Sequence, residues 1–141
     1  MANYTNRKEY IDKLISYKDK DLIKVVSGLR RSGKSTLLEI YRVLLLKQGI
    51  GKRQIQFYNF ELPENFVNKN WDDIYFDIKK KLKTDKPNYI FLDEVQNIPQ
   101  FEKLVDGLFA SENTDVYITG SNAFLLSGEL ATLLSGHYIE I

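Results

Sequence analysis

The sequence predicts an α/β fold in which helices cover both faces of a mostly parallel, five-stranded sheet. Short β-branched or apolar runs alternate with longer segments whose apolar residues recur at helical intervals. The run from Tyr89 to Leu92 is continuously apolar, as expected of a strand buried on both faces. A loop with two glycines joins the first predicted strand to the next helix, within VVSGLRRSGKSTLL at residues 25–38.

The predicted elements follow one another in a regular order. Tyr10, Leu14 and Tyr17 lie at helical spacing and predict a leading amphipathic helix at about residues 7–18. The same patterns assign the rest of the chain as strand 21–28, helix 32–49, strand 53–62, helix 70–82, strand 87–95, helix 98–112, strand 114–122, helix 123–134 and strand 136–141.

Several of these boundaries have a chemical cause. Gly49 and Gly51 stop the first long helix, and Pro63 closes the second strand because it has no N–H for the sheet. Asn70 is the expected N-cap of the next helix, since its side chain can accept a hydrogen bond from the first turn.

Length, composition and charge exclude several classes of protein. A chain of 141 residues with 43% hydrophobic residues suits one domain, 1–141, in which a leading helix precedes a core at about 22–141. It has no cysteine and only His137 as histidine, which excludes disulfides and thiolate metal sites. A net charge of +1 gives no overall electrostatic reason to expect binding to nucleic acid or to an anionic membrane. With no long apolar run and a polar N-terminus, we expect a soluble, cytoplasmic protein.

The glycine loop carries the pattern G-x-x-x-x-G-K-[ST], written GLRRSGKS at residues 28–35. Glycines let the backbone curl until successive N–H groups point into one concavity, and the following helix adds its positive dipole. This loop predicts a cradle for the phosphates of ATP. Lys34 would reach the β- and γ-phosphates, and the Ser35 hydroxyl would ligate Mg²⁺. The candidate nucleotide contacts are Gly28, Arg31, Ser32, Gly33, Lys34, Ser35 and Thr36.

A pair of carboxylates ends the third predicted strand. The segment IFLDE delivers Asp93 and Glu94 to the carboxyl edge of the sheet, where the glycine loop also opens. We assign Asp93 to the metal, which it would hold through the water shell of the ion. We assign Glu94 as the general base that orients and deprotonates an attacking water. A strand end that merely caps a helix is the alternative, and the neighbouring loop disfavours it.

A weaker signal follows the fourth predicted strand, in ITGSN. Thr119, Ser121 and Asn122 reach the same edge of the sheet. The Asn122 amide could hydrogen-bond the γ-phosphate or the attacking water, with Ser121 as a substitute. A turn with Ser and Asn also serves as a simple helix cap, so both interpretations stay open.

Three segments carry a resemblance to a known family. VVSGLRRSGKSTLL, IFLDEVQNIPQFEKLVDGL and VYITGSNAFLLSGELATLLSGHYIEI resemble the AAA-type ATPase domain that precedes a C-terminal domain of unknown function in prokaryotic proteins. The resemblance spans essentially all of the chain and includes the paired arginines, Arg30 and Arg31, and Gln96. It implies an AAA+-like P-loop NTPase, a three-layer α/β/α sandwich with strand order 5-1-4-3-2. The arginines could contact phosphate, pack against an acid such as Glu61, or stay solvated.

The chain departs from this family in two ways. His137 stands where the family pattern usually has arginine, so an anion-binding or finger-like role does not carry over. The family's proteins also continue well beyond the end of this sequence, and we expect the chain to be a fragment of a longer one.

These residues favour Mg²⁺-dependent ATP hydrolysis that couples nucleotide state to conformational change. An ATP-binding switch with little hydrolysis and a small-molecule kinase are the alternatives. Glu94 beside Asp93 favours activating water over transfer to an acceptor. Guanine specificity is disfavoured, because NKNW at residues 68–71 fails the Asn-Lys-x-Asp motif at its fourth position. A neighbouring subunit or partner protein could complete the site with an arginine.

Overall fold

The computed structural model describes residues 2–27, 31–121, 134 and 137–141, and for residues 2–6, 31, 32 and 35 the backbone only. The helices are α1 (Ala2–Ser16), α2 (Arg31–Lys47), α3 (Trp71–Lys81) and α4 (Phe101–Phe109). The strands are β1 (Ile23–Val26), β2 (Ile55–Asn59), β3 (Asn88–Asp93), β4 (Thr114–Thr119) and β5 (Tyr138–Glu140). Short 3-10 turns at Lys52–Gln54, Pro63–Asn65 and Val95–Asn97 join some of them.

The order and type of these elements match the sequence prediction, with one shift at the start. The leading helix spans Ala2–Ser16 and not 7–18. Before Tyr10 the helix has only Ala2 and Tyr4 as apolar residues, which are too few to show a helical period. The helix ends before Asp19, whose positive φ of 62° breaks the helical backbone. The helix predicted at 123–134 lies almost wholly outside the described residues.

The five strands form one parallel sheet in the order β2-β3-β4-β1-β5. This is the predicted order 5-1-4-3-2 read from the opposite side. Strand β1, the first in the sequence, therefore lies between β4 and β5, and β3 lies between β2 and β4. Parallel strands point the same way, so the carboxyl ends of β1, β3 and β4 meet at one edge of the sheet.

Helices pack on both faces of the sheet, as predicted, because side chains alternate along each strand. On one face the sheet contacts α3 and α4 through a buried cluster that includes Ile23, Val25, Ile90, Leu92, Leu104 and Leu108. On the other face it contacts α1 and α2 through a second cluster that includes Leu14, Val26, Leu37, Tyr41, Phe91 and Tyr117. Every residue of β3 is buried, which confirms that this strand is covered on both sides.

Among the described residues, no helix is both long enough and apolar enough to cross a membrane.

Candidate functional site

The predicted site residues gather at the carboxyl edge of the sheet. Asp93 is the last residue of β3 and Glu94 follows it, while Thr119 is the last residue of β4. Helix α2 begins at Arg31, so Lys34 lies in its first turn. All four of the side chains that carry chemistry here are buried: Lys34, Asp93, Glu94 and Thr119.

Thr119 joins the two carboxylate residues. Its hydroxyl donates a hydrogen bond to Asp93 Oδ1 at 2.5 Å. The Thr119 hydroxyl oxygen also accepts a hydrogen bond from the backbone N–H of Glu94 at 2.9 Å. Both bonds are fully buried, where each counts for more than it would in water. One hydroxyl thus fixes the side chain of Asp93 and the backbone of Glu94.

The backbone of Glu94 has a left-handed conformation, with φ 60° and ψ 51°. Such a conformation costs a non-glycine residue about 1 kcal/mol, so surrounding contacts must hold it. The Thr119 hydroxyl supplies one of these contacts. The Asn97 side chain supplies another, because its amide donates to the Phe60 carbonyl at 2.8 Å and anchors the turn that follows Glu94.

Lys34 faces this acidic edge from α2. Its side chain is 1% exposed, and its ammonium group donates a hydrogen bond to the carbonyl of Gly120, just past β4. The ammonium nitrogen lies 4.0 Å from Glu94 Oε1. That separation is too long for a hydrogen bond but short enough for strong Coulomb attraction in a buried setting.

Gln96 completes the arrangement. Its side-chain nitrogen donates to Glu94 Oε2 at 2.7 Å. Two buried acceptors, Glu94 Oε1 and Gln96 Oε1, receive no hydrogen bond from any described group. Buried polar atoms are nearly always paired in folded proteins, with protein or with water. Both oxygens can therefore accept hydrogen bonds from water or from a ligand.

The residues present fit a nucleotide with its metal ion. An ammonium group at the first turn of a helix suits phosphate oxygens, which the helix dipole also favours. Mg²⁺ prefers oxygen ligands, and in nucleotide sites it takes one or two carboxylates and fills its shell with water and phosphate. Asp93 and Glu94 meet that description. The arrangement can bind a charged phosphate chain and hold a base beside it.

Other predicted site residues are placed less fully. Gly33 and Thr36 lie in the first turns of α2, and Ser121 follows β4. Gly28 and Asn122 lie outside the described residues, as do the side chains of Arg31, Ser32 and Ser35. Their assigned roles stay predictions.

His137 lies away from this site. Its backbone carbonyl accepts a hydrogen bond from the N–H of Ile23 at 2.9 Å, which places it where β1 and β5 begin. Its ring stacks on Phe109, with ring centres 5.5 Å apart. This position is at the amino edge of the sheet, so a role for His137 in phosphate binding within the domain has no structural support.

Sequence analysis placed Thr119 at the correct edge but gave it no role, and it treated Gln96 only as part of a family pattern. The predicted pairing of parallel strands could have shown that Thr119 lies beside the acidic pair. Ile118 pairs with Leu92, so the next residue of β4 falls beside the acidic pair. Gln96 could have been found only by knowing that the chain turns sharply at Glu94.

A cavity of about 630 Å³ lies at the other end of the sheet. None of the predicted site residues that the structure describes lines it. Its wall includes Asp19, Glu112 and Asp115. We place the functional site by its side chains and not by cavity size.

The sheet order, the first-turn lysine and the strand-end carboxylates define an AAA-type P-loop domain of the nucleotide-binding class. Comparison with known proteins agrees with this class. A family model described as an AAA domain matches residues 20–141, and the chain belongs to that family.

Two relatives are similar in sequence. An uncharacterized protein of Haemophilus influenzae is 49% identical over 137 residues, covering 96% of this chain and 34% of the relative. An uncharacterized protein of Methanocaldococcus jannaschii is 32% identical over 118 residues, covering 84% of this chain and 25% of the relative. The chain thus spans about a third and a quarter of the length of these two proteins.

One solved structure is similar in fold. A chain in the structure of Drosophila ORC bound to AT-rich DNA and Cdc6 superposes with a TM-score of 0.66. The match covers 99% of this chain and 55% of that chain, at 11% identity. At this identity the similarity concerns the fold alone.

Proposed function

We propose that this domain binds Mg-ATP at the carboxyl edge of its sheet and hydrolyses it. The observation that carries the proposal is the buried pair of Lys34 and Glu94, 4.0 Å apart, with Asp93 fixed beside them. The Glu94 oxygen nearest to Lys34 has no hydrogen bond from a described group. A buried base next to a phosphate-binding cation is the arrangement that hydrolysis of a phosphoanhydride needs.

Each residue has a distinct task in this proposal. Lys34 would exchange the Gly120 carbonyl for the β- and γ-phosphate oxygens of ATP. Asp93 would hold Mg²⁺ through its water shell, with the Ser35 hydroxyl as a ligand. When bound, the ion neutralises charge that develops on the phosphate oxygens. Glu94 would take a proton from water as the water oxygen attacks the γ-phosphorus and the bond to the ADP oxygen breaks. Asn122 would contact the γ-phosphate or the water.

An ATP-binding switch with little hydrolysis is the second candidate. The position of Lys34 favours it, because its ammonium lies 4.0 Å from Glu94 Oε1 and would compete with water for that oxygen. Hydrolysis then requires ATP to draw Lys34 away. A small-molecule kinase is less favoured, because Glu94 would serve water better than a bound acceptor.

The larger setting of this activity is also a proposal. Because the relatives are three to four times longer than the matched region, the nucleotide cycle would drive a conformational change in further parts of the protein. An arginine from a neighbouring subunit or a partner protein would complete the site. Such a residue contributes about 10³- to 10⁵-fold in other P-loop enzymes. We expect the protein to act in the cytoplasm.

Replacing Glu94 with Gln tests the proposal. Glutamine keeps the shape of the side chain but cannot accept a proton at neutral pH. We expect Mg-ATP to bind as before while the turnover number falls by about 10²- to 10⁴-fold, the usual contribution of a general base. Glu112→Gln is the matched control, since Glu112 is exposed near the amino edge of the sheet. Turnover that survives in Glu94→Gln would mean that another group activates the water.

A further inference from the structure

Gln96 occupies a position that the proposed chemistry does not yet use. It lies in the 3-10 turn Val95–Asn97, directly after β3 and Glu94. Its amide nitrogen donates to Glu94 Oε2 at 2.7 Å, and its amide oxygen is buried without a donor in the described structure. Buried polar atoms are nearly always hydrogen-bonded, so the Gln96 oxygen that lacks a described donor needs a physical explanation.

We infer that Gln96 is a positioning residue for the attacking water, an inference that rests on the proposed ATP hydrolysis. It holds one oxygen of the Glu94 carboxylate, and it offers its own carbonyl oxygen to the water that Glu94 activates.

The orientation of the Gln96 amide follows from chemistry. An ionised carboxylate only accepts hydrogen bonds, so the NH₂ end of the amide must face Glu94 Oε2. The carbonyl end must then point elsewhere. Nitrogen and oxygen of an amide are otherwise interchangeable in shape, and here the Glu94 partner fixes which is which.

The two unsatisfied acceptors suit a single water molecule. Water carries two hydrogens, and Glu94 Oε1 and Gln96 Oε1 are two buried acceptors that lack donors in the described part of the chain. They belong to side chains already tied by one hydrogen bond. A water that donates to both acceptors keeps a lone pair for the phosphorus atom. Buried waters make about three hydrogen bonds, so this position also satisfies the water.

Gln96 also opposes the pull of Lys34. The ammonium of Lys34 attracts the Glu94 carboxylate from 4.0 Å. If the carboxylate moved into direct contact with that ammonium, it would turn away from the water. The hydrogen bond from Gln96 to Oε2 holds it back.

The turn that carries Gln96 is well anchored. Val95 is fully buried in the core. The Asn97 side chain is bonded to the Phe60 carbonyl at 2.8 Å, and the Asn97 N–H to the Glu94 carbonyl at 3.3 Å. A residue that orients a reacting group must itself be held to within about 0.5 Å, and these contacts provide such support.

The experiment compares Gln96→Ala with the wild-type protein in steady-state ATP hydrolysis. We expect kcat to fall by about 10- to 10²-fold, the usual effect of losing a hydrogen bond to a charged group. KM should change less than about twofold, because Gln96 touches the water and the base but not ATP. The kcat of Gln96→Glu should fall at least as far, since a second carboxylate cannot donate a hydrogen bond to Glu94 at neutral pH.

A binding measurement gives a readout that does not depend on turnover. Mg-ADP with aluminium fluoride mimics the transferring phosphoryl group together with its attacking water, whereas a non-hydrolysable ATP analogue does not. Gln96→Ala should weaken binding of the first by about the same factor as kcat and leave the second unchanged. Gln48→Ala is the matched control, because it removes the amide of an exposed glutamine just after α2, away from Glu94. It should leave both quantities unchanged.

The outcomes separate this inference from the function on which it rests. If the wild-type protein hydrolyses ATP and Glu94→Gln does not, but Gln96→Ala keeps its kcat, the inference on Gln96 is wrong and the proposed function stands. Equal losses for both nucleotide complexes would show that Gln96 only supports the fold. If the wild-type protein does not hydrolyse ATP at all, both ideas are overturned together.

Discussion

Two buried lysines lie at opposite ends of this sheet, and their surroundings differ. At the amino edge, Lys24 of β1 donates to Asp115 Oδ1 at 2.6 Å and to the carbonyl of Lys20 at 2.6 Å. The other oxygen of Asp115 accepts hydrogen bonds from the Tyr117 hydroxyl at 2.7 Å and the Asp19 N–H at 2.9 Å. At the carboxyl edge, Lys34 stays 4.0 Å from Glu94, which keeps an unsatisfied oxygen.

The difference shows which of two buried ion pairs is structural. The network around Lys24 extends to a bond of 3.0 Å between the hydroxyls of Tyr41 and Tyr117. Burial raises the pKa of both tyrosines, so they stay protonated as donors. A fully bonded polar network stabilises one arrangement of the core. The Lys34–Glu94 pair is open by comparison, because its atoms are 4.0 Å apart and Glu94 Oε1 accepts no hydrogen bond from a described group.

The largest expected effect is a difference in unfolding free energy between variants of the two lysines. Lys24→Met removes the partner of a buried carboxylate, which typically costs about 3–5 kcal/mol of unfolding free energy. Lys34→Met should cost less without nucleotide, because the Lys34 ammonium lies 4.0 Å from Glu94 Oε1, whereas that of Lys24 lies 2.6 Å from Asp115 Oδ1. Chemical denaturation of both variants measures this difference.

A double variant is the control for this prediction. Lys24→Met with Asp115→Asn removes both charges but keeps an oxygen that can accept from the Tyr117 hydroxyl and the Asp19 N–H, so it should recover much of the loss. Equal costs for Lys24→Met and Lys34→Met would contradict the contrast between a closed and an open pair.

A smaller loss of stability is expected at Thr119, whose hydroxyl is hydrogen-bonded to both Asp93 and Glu94 at the carboxyl edge. Thr119→Val keeps the shape but leaves the Glu94 N–H and Asp93 Oδ1 without this hydroxyl. Unfolding free energy should fall by about 1–3 kcal/mol, the cost of buried groups left unpaired. Thr119→Ser retains the hydroxyl and should stay close to wild type. Equal losses in the two variants would mean that the methyl group matters more than the hydrogen bonds.

The smallest effect concerns pH at the amino edge. Burial raises the pKa of the Asp115 carboxyl, and the Lys24 ammonium only partly offsets this. An acid whose pKa is raised on folding binds its proton more tightly in the folded state. Its contribution to stability is therefore complete below the ordinary aspartate range, about pH 4, and is lost as pH rises through the raised value.

Asp115→Asn checks this sign. The unfolding free energy of wild type minus that of the variant should decline as pH rises above about 4 and then level off. A difference that grows with pH would show that attraction to Lys24 outweighs burial.

The sequence carried most of the fold and part of the site. Periodicity predicted the helices and strands because each buries a regular face, and the strand ends predicted that Asp93, Glu94 and Thr119 lie at one edge of the sheet. The start of α1 was missed because only Ala2 and Tyr4 are apolar in the helix before Tyr10, too few to show a helical period. The pair of Lys24 and Asp115 could not be predicted, since it joins residues 91 apart through a strand register that no local pattern encodes. Gln96 depends in the same way on the left-handed turn at Glu94.

The central claim is that the carboxyl edge binds nucleotide through Lys34. The most direct test is the thermal unfolding midpoint with and without Mg-ATP, in wild type, Lys34→Ala and the control Lys80→Ala, whose lysine is exposed on α3. At a hundredfold excess over Kd, binding to the folded state adds about 2.7 kcal/mol, which should raise the midpoint by several degrees. We predict this rise in wild type and Lys80→Ala and its loss in Lys34→Ala. No rise in wild type, or an equal rise in Lys34→Ala, would contradict the account.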